Sequence, residues 1–504
     1  MRNLFYILIV FSFIFSESGS KVLASDGDIG DTFGKSVSHF GQWYAVGANK
    51  DDDNGQNSGS VYVYKFEDSE IIDEFKITPD DGDFNEYFGK TLSVSDEWLI
   101  VSAIYDDENG EKSGSVYIFK YDGSTWNQFD KIYPDDGAPY DRFGYSVDLH
   151  DDRFIVGSVY DDDLAENSGS AYIYQFDGTV WSLEKKINSN SQQEDAHFGK
   201  SAAIFSDIVA IGAYAEDTDL QNAGSATIFR LINNEWIEIQ KIFSPNSNSY
   251  DFFGNDLDIY NDKLVIGSYY ADNIYDNSGS VFLYELNYDI FELALELNAY
   301  DSYLNDNFGQ SVSIYSNYVA VGAMDDDNGT NSGAVYVYKI NDDWTYDEIK
   351  LYPNDLQQYD EFGSSVSIFD YKLIVGSSLD DDLGNDAGSV YILNFAECNN
   401  ITACNYDTSS QNLLHDNQIC IFPENGFECD GSCIYEIDSC NICNGGGSDG
   451  DVDLNGIINI TDIILILGYM LGDNDINTCI ANINSDNVVN ITDLIILIDN
   501  ILNF

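Results

Sequence analysis

Phe33-Gly34-Lys35-Ser36-Val37, then Trp43-Tyr44-Ala45-Val46-Gly47-Ala48, an acidic run, and Ser58-Gly59-Ser60-Val61-Tyr62-Val63-Tyr64: this stretch decides the fold, because it returns six more times. The Phe-Gly pair stands at Phe33, Phe88, Phe143, Phe198, Phe253, Phe308 and Phe362, a period of 55 residues that closes with one of 54. Self-similarity at a fixed period marks a repeat array, whose units bury their apolar faces against one another.

Within the second unit four strand-like runs stand out, at 91–95, 98–103, 115–121 and 129–133. They are rich in β-branched and aromatic residues, as a pleated surface prefers, and are separated by Gly, Asp, Asn and Pro. No helical period is sustained anywhere in the array. Four antiparallel strands per unit and seven units predict an all-β fold, a seven-bladed β-propeller. A linear solenoid is disfavoured, since its repeats run to about 20–30 residues. The last unit stops after its third strand, and Lys21–Asp28 resembles Lys76–Asp83, the fourth-strand tail of the first unit. The N-terminus is therefore expected to complete the last blade and remove an open sheet edge. The closed ring is expected to be monomeric.

The chain divides by composition into residues 1–18, 19–396, 397–448 and 449–504. The first segment reads as a signal peptide: Arg2 gives a positive start, and the apolar run 4–15 is too short to span a bilayer. Cleavage fits after Ser18 or after Ala24, and the later cut would remove the closing strand. The mature protein is expected to be secreted, extracellular or at the cell surface, with no membrane span. With 88 acidic against 21 basic residues, the net charge is −67. That argues against a nucleic-acid partner, whose phosphates need clustered Lys and Arg.

The acidic residues are patterned. Between the second and third strands lie Asp51–Asp53, Asp106–Glu108, Asp161–Asp163, Asp325–Asp327 and Asp380–Asp382. Before the Phe-Gly pairs lie Asp80-Asp81, Asp135-Asp136 and Asp360-Glu361. Both kinds of loop open on one face, which is expected to be intensely negative and neutralised by calcium or by a diffuse ion atmosphere. The repeated Phe is expected in the core, with its Gly at a tight turn. Trp126, Trp181, Trp236 and Trp344, near the start of the fourth strand, are open to packing between blades or to sugar stacking.

At Phe33-Gly34, Gly47-Ala48 and Gly59-Ser60-Val61-Tyr62, seven times over, the array resembles the FG-GAP repeat family, the propeller repeats of integrin α chains. The resemblance covers about three quarters of the chain and implies a platform for adhesion or ligand binding. The integrin-type calcium loop is absent from 38–43, so its calcium sites do not carry over.

Eight cysteines (Cys398, Cys404, Cys420, Cys429, Cys433, Cys440, Cys443 and Cys479) follow the array. In an exported chain an even number reads as disulfides of undetermined pairing, with zinc the alternative for Cys429, Cys433, Cys440 and Cys443. Beyond them, Asp451, Asp453, Asn455, Ile457 (through its carbonyl), Asn459 and Asp462 have the spacing of a calcium loop, with Gly456 at its sharp turn. The pattern repeats at Asn482, Asn484, Asp486, Val488, Asn490 and Asp493, with Asn at the first position and less charge. Helices are expected over 463–471 and 494–502. Two such half EF-hands resemble a type I dockerin, which implies Ca2+ and a cohesin-like protein partner.

Four histidines (His39, His150, His197 and His415) are scattered, and no catalytic constellation stands out. The expected function is a secreted, non-catalytic binding or adhesion protein. Its propeller would meet a glycan or surface protein, and its tail would attach it to a partner. The alternative is a carbohydrate-active enzyme or accessory subunit of a polysaccharide-degrading assembly.

Overall fold

Turn residues and apolar runs alternate as the repeat dictates, and the chain folds into seven four-stranded antiparallel sheets. The computed structural model describes residues 19–67, 70–191, 193–326, 331–397, 414–415, 452, 460–471 and 489–502. The segment read as a signal peptide, all eight cysteines and most of the tail loops lie outside the described residues.

In the second blade the strands are Phe88–Val94, Trp98–Ala103, Ser115–Tyr121 and Trp126–Ile132, hydrogen-bonded in that order. The first begins earlier than expected. Phe88 pairs with Ala103 before the register slips, so the Phe-Gly pair belongs to a bulged strand and not to a turn. The fourth also begins earlier, because Trp126 pairs with Tyr121. Closure follows the expected route. Gly19–Val22 pairs antiparallel with Ser389–Asn394, Lys21 opposite Tyr391, and completes the seventh sheet.

The cores lie between sheets. One cluster joins Trp43, Val61 and Val63 of the first blade to Phe88, Leu99, Val101 and Tyr117 of the second. Phe88 has no exposed surface and meets the Tyr117 ring edge-on at 5.4 Å. Trp126 packs on Trp43 of the preceding blade at 5.2 Å and Trp181 on Trp98 at 5.4 Å, so these tryptophans serve packing between blades.

The glycines of the repeat meet at the same junction. The Phe88 N–H donates to the Ser58 carbonyl of the preceding blade at 3.0 Å. A Cβ on Gly59, whose φ is +85°, would lie 2.1 Å from the Phe88 carbonyl oxygen. A Cβ on Gly47 would lie 2.1 Å from the Gly89 carbonyl. Only glycine allows backbones this close. The bond recurs in every blade and closes the ring through Phe33 N–H to Ala387 at 2.9 Å.

The chain divides into two compact units, the seven sheets in the larger and two helices in the smaller. These are α1 (Ile460–Leu471) and α2 (Ile491–Leu502), each starting three residues before the expected position. Ile466, Leu494 and Leu497 form their shared core with Val452. Among the described residues no helix is long and apolar enough to cross a membrane.

Removal of residues 19–24 should leave Ser389–Asn394 as an open edge. At about 1 kcal/mol per lost hydrogen bond, the expected loss is several kcal/mol. Denaturant unfolding and sedimentation check this: a lower midpoint and self-association are expected, and a native midpoint with no association would refute the closure.

Candidate functional site

The acidic runs do not simply face solvent. In four runs the leading carboxylate turns inward, Asp51 at 3% exposed, Asp106 1%, Asp161 2% and Asp380 1%, and in the run at Asp325 the second, Asp326, does so. Each meets a lysine from the outer strand. Lys131 Nζ lies 2.8 Å from Asp106, 2.7 Å from Asp81 and 2.7 Å from Glu108. Lys76 does the same with Asp51, Asp26 and Asp53, and Lys186 with Asp161, Asp136 and Asp163. Lys21, on the closing strand, meets Asp380, Asp355 and Asp382. Ser115 Oγ donates to Asp106 at 2.9 Å and the Tyr117 hydroxyl at 3.3 Å, so the buried carboxylate is fully bonded. Burial alone would lower the Lys131 amine, but bonds to Asp106, Asp81 and Glu108 outweigh it and hold the amine well above its usual range.

The repeat also shows what happens when the set is broken. In the fifth blade the buried acid is Ala271, the tyrosine is Phe282 and the lysine is Glu296. Acid, tyrosine and lysine change together, the remaining Ser280 donates to Asn298, and Glu296 accepts from Asn273 at 2.7 Å. In the fourth blade a longer acid, Glu216, reaches Lys241 at 2.5 Å, and Thr227 stands where tyrosine does elsewhere. With Lys350 beside Asp326 at 2.8 Å in the sixth blade, an ammonium therefore meets the buried acid in six blades, where a calcium or a diffuse ion atmosphere was expected. Among the described residues no set of three or more His, Cys, Asp or Glu is placed to hold a metal ion.

A second row of acids was missed as a class. Asp31, Glu86, Asp141, Asp251, Asp306 and Asp360 stand two residues ahead of Phe-Gly and are buried. Asp360 is thus not part of an exposed acidic surface. Each accepts a backbone N–H from three residues earlier, as Glu86 does from Asp83 at 3.0 Å. Burial pushes Glu86 and Asp141 up to about 7 and Asp31 to about 6, against those N–H bonds.

The centre of the same face is different again. The first strands line an axial channel of about 330 Å³. Directly after each Phe-Gly stand Lys35, Lys90, Tyr145, Lys200, Asn255, Gln310 and Ser364, one per blade. Deeper, hydrogen bonds join six pairs of successive blades: Val94 N–H to Ser38 (3.1 Å), Leu149 to Ser93 (3.2 Å), Ile204 to Asp148 (2.8 Å), Ile314 to Asp258 (2.8 Å), Ile368 to Ser313 (3.2 Å) and His39 to Ser367 (3.0 Å). Asp148 and Asp258 are thereby acceptors in the scaffold. Burial first, then the Asp148 charge, pushes Asp258 up to about 7.

Beside the channel mouth a second hollow of about 310 Å³ shares Lys35 and Lys90 and adds Lys50, Tyr87 and Tyr105. Arg142 lies over the Tyr105 and Tyr160 rings, at 5.1 and 4.4 Å. Lys200 lies 5.5 Å from both Tyr145 and Tyr214. Burial, reinforced by Lys35, Lys200 and Lys50, brings the Lys90 amine down to about 7. The face expected to be uniformly negative thus has a paired acidic rim and a basic, tyrosine-lined centre. The signal for this centre was the residue after each Phe-Gly, which varies between units while the Phe-Gly before it does not.

In the tail, three of the expected calcium ligands are described. Asp462 and Asp493 are fully buried in the first turns of α1 and α2. The Val452 N–H donates to Asp462 at 2.8 Å. Asn490 accepts from the Thr492 N–H at 2.8 Å, and Asp493 accepts from the Asn490 N–H at 2.9 Å. That reciprocal pair is a capping box, and it explains why α2 begins at Ile491. Asp451, Asp453, Asn455, Ile457, Asn459, Asn482, Asn484, Asp486 and Val488 lie outside the described residues.

The FG-GAP repeat family matches the chain at 17–64, 72–119, 126–174, 181–229, 236–284, 294–338 and 344–393. The chain belongs to that family. Each match after the first begins in or beside the outer strand of one blade and runs into the third strand of the next, so the sequence repeat is offset by one strand from the sheet. No curated protein matches the chain significantly.

Lys131→Met should leave Asp106 buried without its cation and cost about 2–3 kcal/mol. The double variant with Asp106→Asn should cost less than the two singles combined, as denaturant unfolding of the cycle would show. Stability should also fall as pH rises from 5 to 7. Glu86 and Asp141, raised in the folded state, keep protons there that the unfolded chain has released. His39 and His197, held low by burial, act in the opposite direction. Glu86→Gln and Asp141→Asn should each flatten the profile; an unchanged slope in both would contradict the assignment.

Proposed function

We propose that the protein is an exported, non-catalytic binding or adhesion protein, its FG-GAP propeller an interaction platform and its tail a calcium-dependent, dockerin-like attachment. One observation carries the platform: a closed ring presents a chemically differentiated face, acidic clusters outside and a basic, tyrosine-lined centre inside. A fixed surface of this kind binds without first having to order itself. The use of Asp148 and Asp258 as acceptors for neighbouring blades favours a structural over a catalytic role for the channel carboxylates.

The tail reading is supported by the twice-repeated loop spacing, by burial of both twelfth-position aspartates, and by the bond from the Val452 N–H to Asp462. A buried carboxylate at the twelfth position of such a loop suits calcium, which takes six to eight oxygen ligands. Asp451, Asp453, Asn455, the Ile457 carbonyl, Asn459 and Asp462 would hold the first ion, and the corresponding residues from Asn482 to Asp493 a weaker second. A cohesin-like protein is the proposed partner of the tail. A glycan or surface protein is the proposed partner of the propeller.

A pull-down with intact and tail-deleted protein against glycans and surface proteins tests both halves. Glycan or surface-protein capture that survives tail deletion supports the platform, and its absence from both forms removes that reading. Chelation should promote unfolding or proteolysis only within residues 449–504, and Asp462→Ala should reproduce the effect. If chelator leaves that segment unchanged, the calcium assignment is wrong.

A further inference from the structure

Basic residues are scarce in this chain, 21 against 88 acids, yet Lys35, Lys50, Lys90, Lys200 and Arg142 gather around one opening. Six lysines elsewhere in the blades, Lys21, Lys76, Lys131, Lys186, Lys241 and Lys350, sit within 3.1 Å of carboxylates. Here they do not. Among the described residues Lys35 and Lys90 make no ion pair and no side-chain hydrogen bond, and Lys200 donates only to the Asn255 carbonyl at 3.3 Å. The charges acting on Lys90 are all cationic, from Lys35, Lys200 and Lys50. Glu361 is the carboxylate whose field reaches Lys35, and Asp256 the one that reaches Lys200; neither pairs directly. The Arg142 Nε is buried without an acceptor.

Held cations without counter-charges destabilise a fold unless something else uses them. The channel and its neighbouring hollow supply about 330 and 310 Å³, share Lys35 and Lys90, and are flanked by the flat rings of Tyr87 and Tyr105, which meet at 4.9 Å. We propose that this mouth is an anion-binding site for a small organic acid. A carboxylate or sulfate group would sit between Lys35 and Lys90, with its body against Tyr87 and Tyr105. The proposal rests on the platform reading and gives that face a ligand class. The depressed Lys90 amine agrees with it, since a bound anion would restore its proton. The acidic rim repels an extended polyanion laid across the face, so the ligand enters end-on, as a free acid or as the terminal unit of an acidic glycan.

Acetylation footprinting of the full chain, read by mass spectrometry, tests the site without altering it. Galacturonate should protect Lys35 and Lys90 and leave the exposed Lys185 unchanged, and neutral galactose should protect neither. Protection by an oligogalacturonate but not by the monomer would identify the glycan terminus as the source, and equal protection would identify the free acid. By calorimetry, Lys90→Met should weaken binding about tenfold, the worth of one charge-assisted bond, whereas Lys185→Met, with the same change in net charge, should not. Absent protection, equal protection by galactose, or equal weakening by Lys185→Met would each overturn the proposal. Partner capture without lysine protection would remove the anion site and leave the platform standing; protection without capture would do the reverse.

Discussion

The Phe N–H of each Phe-Gly pair, donated to a carbonyl of the blade before it, sets the terms for the rest of the ring. Phe88 to Ser58 and Phe33 to Ala387 are the same bond, one inside the array and one closing it. It forms only if two backbones approach to a distance that Gly47 and Gly59 permit and any Cβ would prevent. That requirement places glycines at three separate points of one motif, and in five blades it brings the buried Phe against the tyrosine of its own third strand.

With the blades fixed, charge had to be arranged inside a chain of net −67. The solution repeats: one lysine among three carboxylates, with a serine and a tyrosine completing the innermost acid. Fields this close favour the ammonium so strongly that burial does not lower it. The fifth blade supports the physical account, since acid, tyrosine and lysine give way there to Ala271, Phe282 and Glu296, and the remaining Ser280 turns to Asn298. Keeping the acid or the lysine alone would leave a buried charge without its partner, which costs more than replacing both.

The channel mouth follows the opposite rule. At its position directly after Phe-Gly the side chains vary: Lys200 and Asn255 donate to carbonyls of the next blade, Lys35 and Lys90 make no such bond, and Lys35, Lys90 and Lys200 have no structural counter-ion. Side chains one and three residues further along do bind the next blade: Ser36 donates to Gly89 at 2.9 Å, and Ser38 accepts from Val94 at 3.1 Å. Scaffold and recognition surface are thus interleaved along a single strand.

The period of Phe-Gly by itself determined seven blades, and Lys21 to Asp28, read against Lys76 to Asp83, determined that the N-terminus closes the ring. Both are repetition, which survives in a linear string. Tertiary structure alone decided which aspartates are buried. Asp51, Asp52 and Asp53 are equivalent as letters, but only Asp51 faces Ser60, Tyr62 and Lys76. It also decided that Lys76 belongs with Asp26 and Asp53 while Lys90, no different in sequence, belongs with Lys35 and Lys200. Those groupings depend on which residues successive blades bring within a few ångströms of one another. The repeat period counts the blades; only their packing around the axis sets those distances.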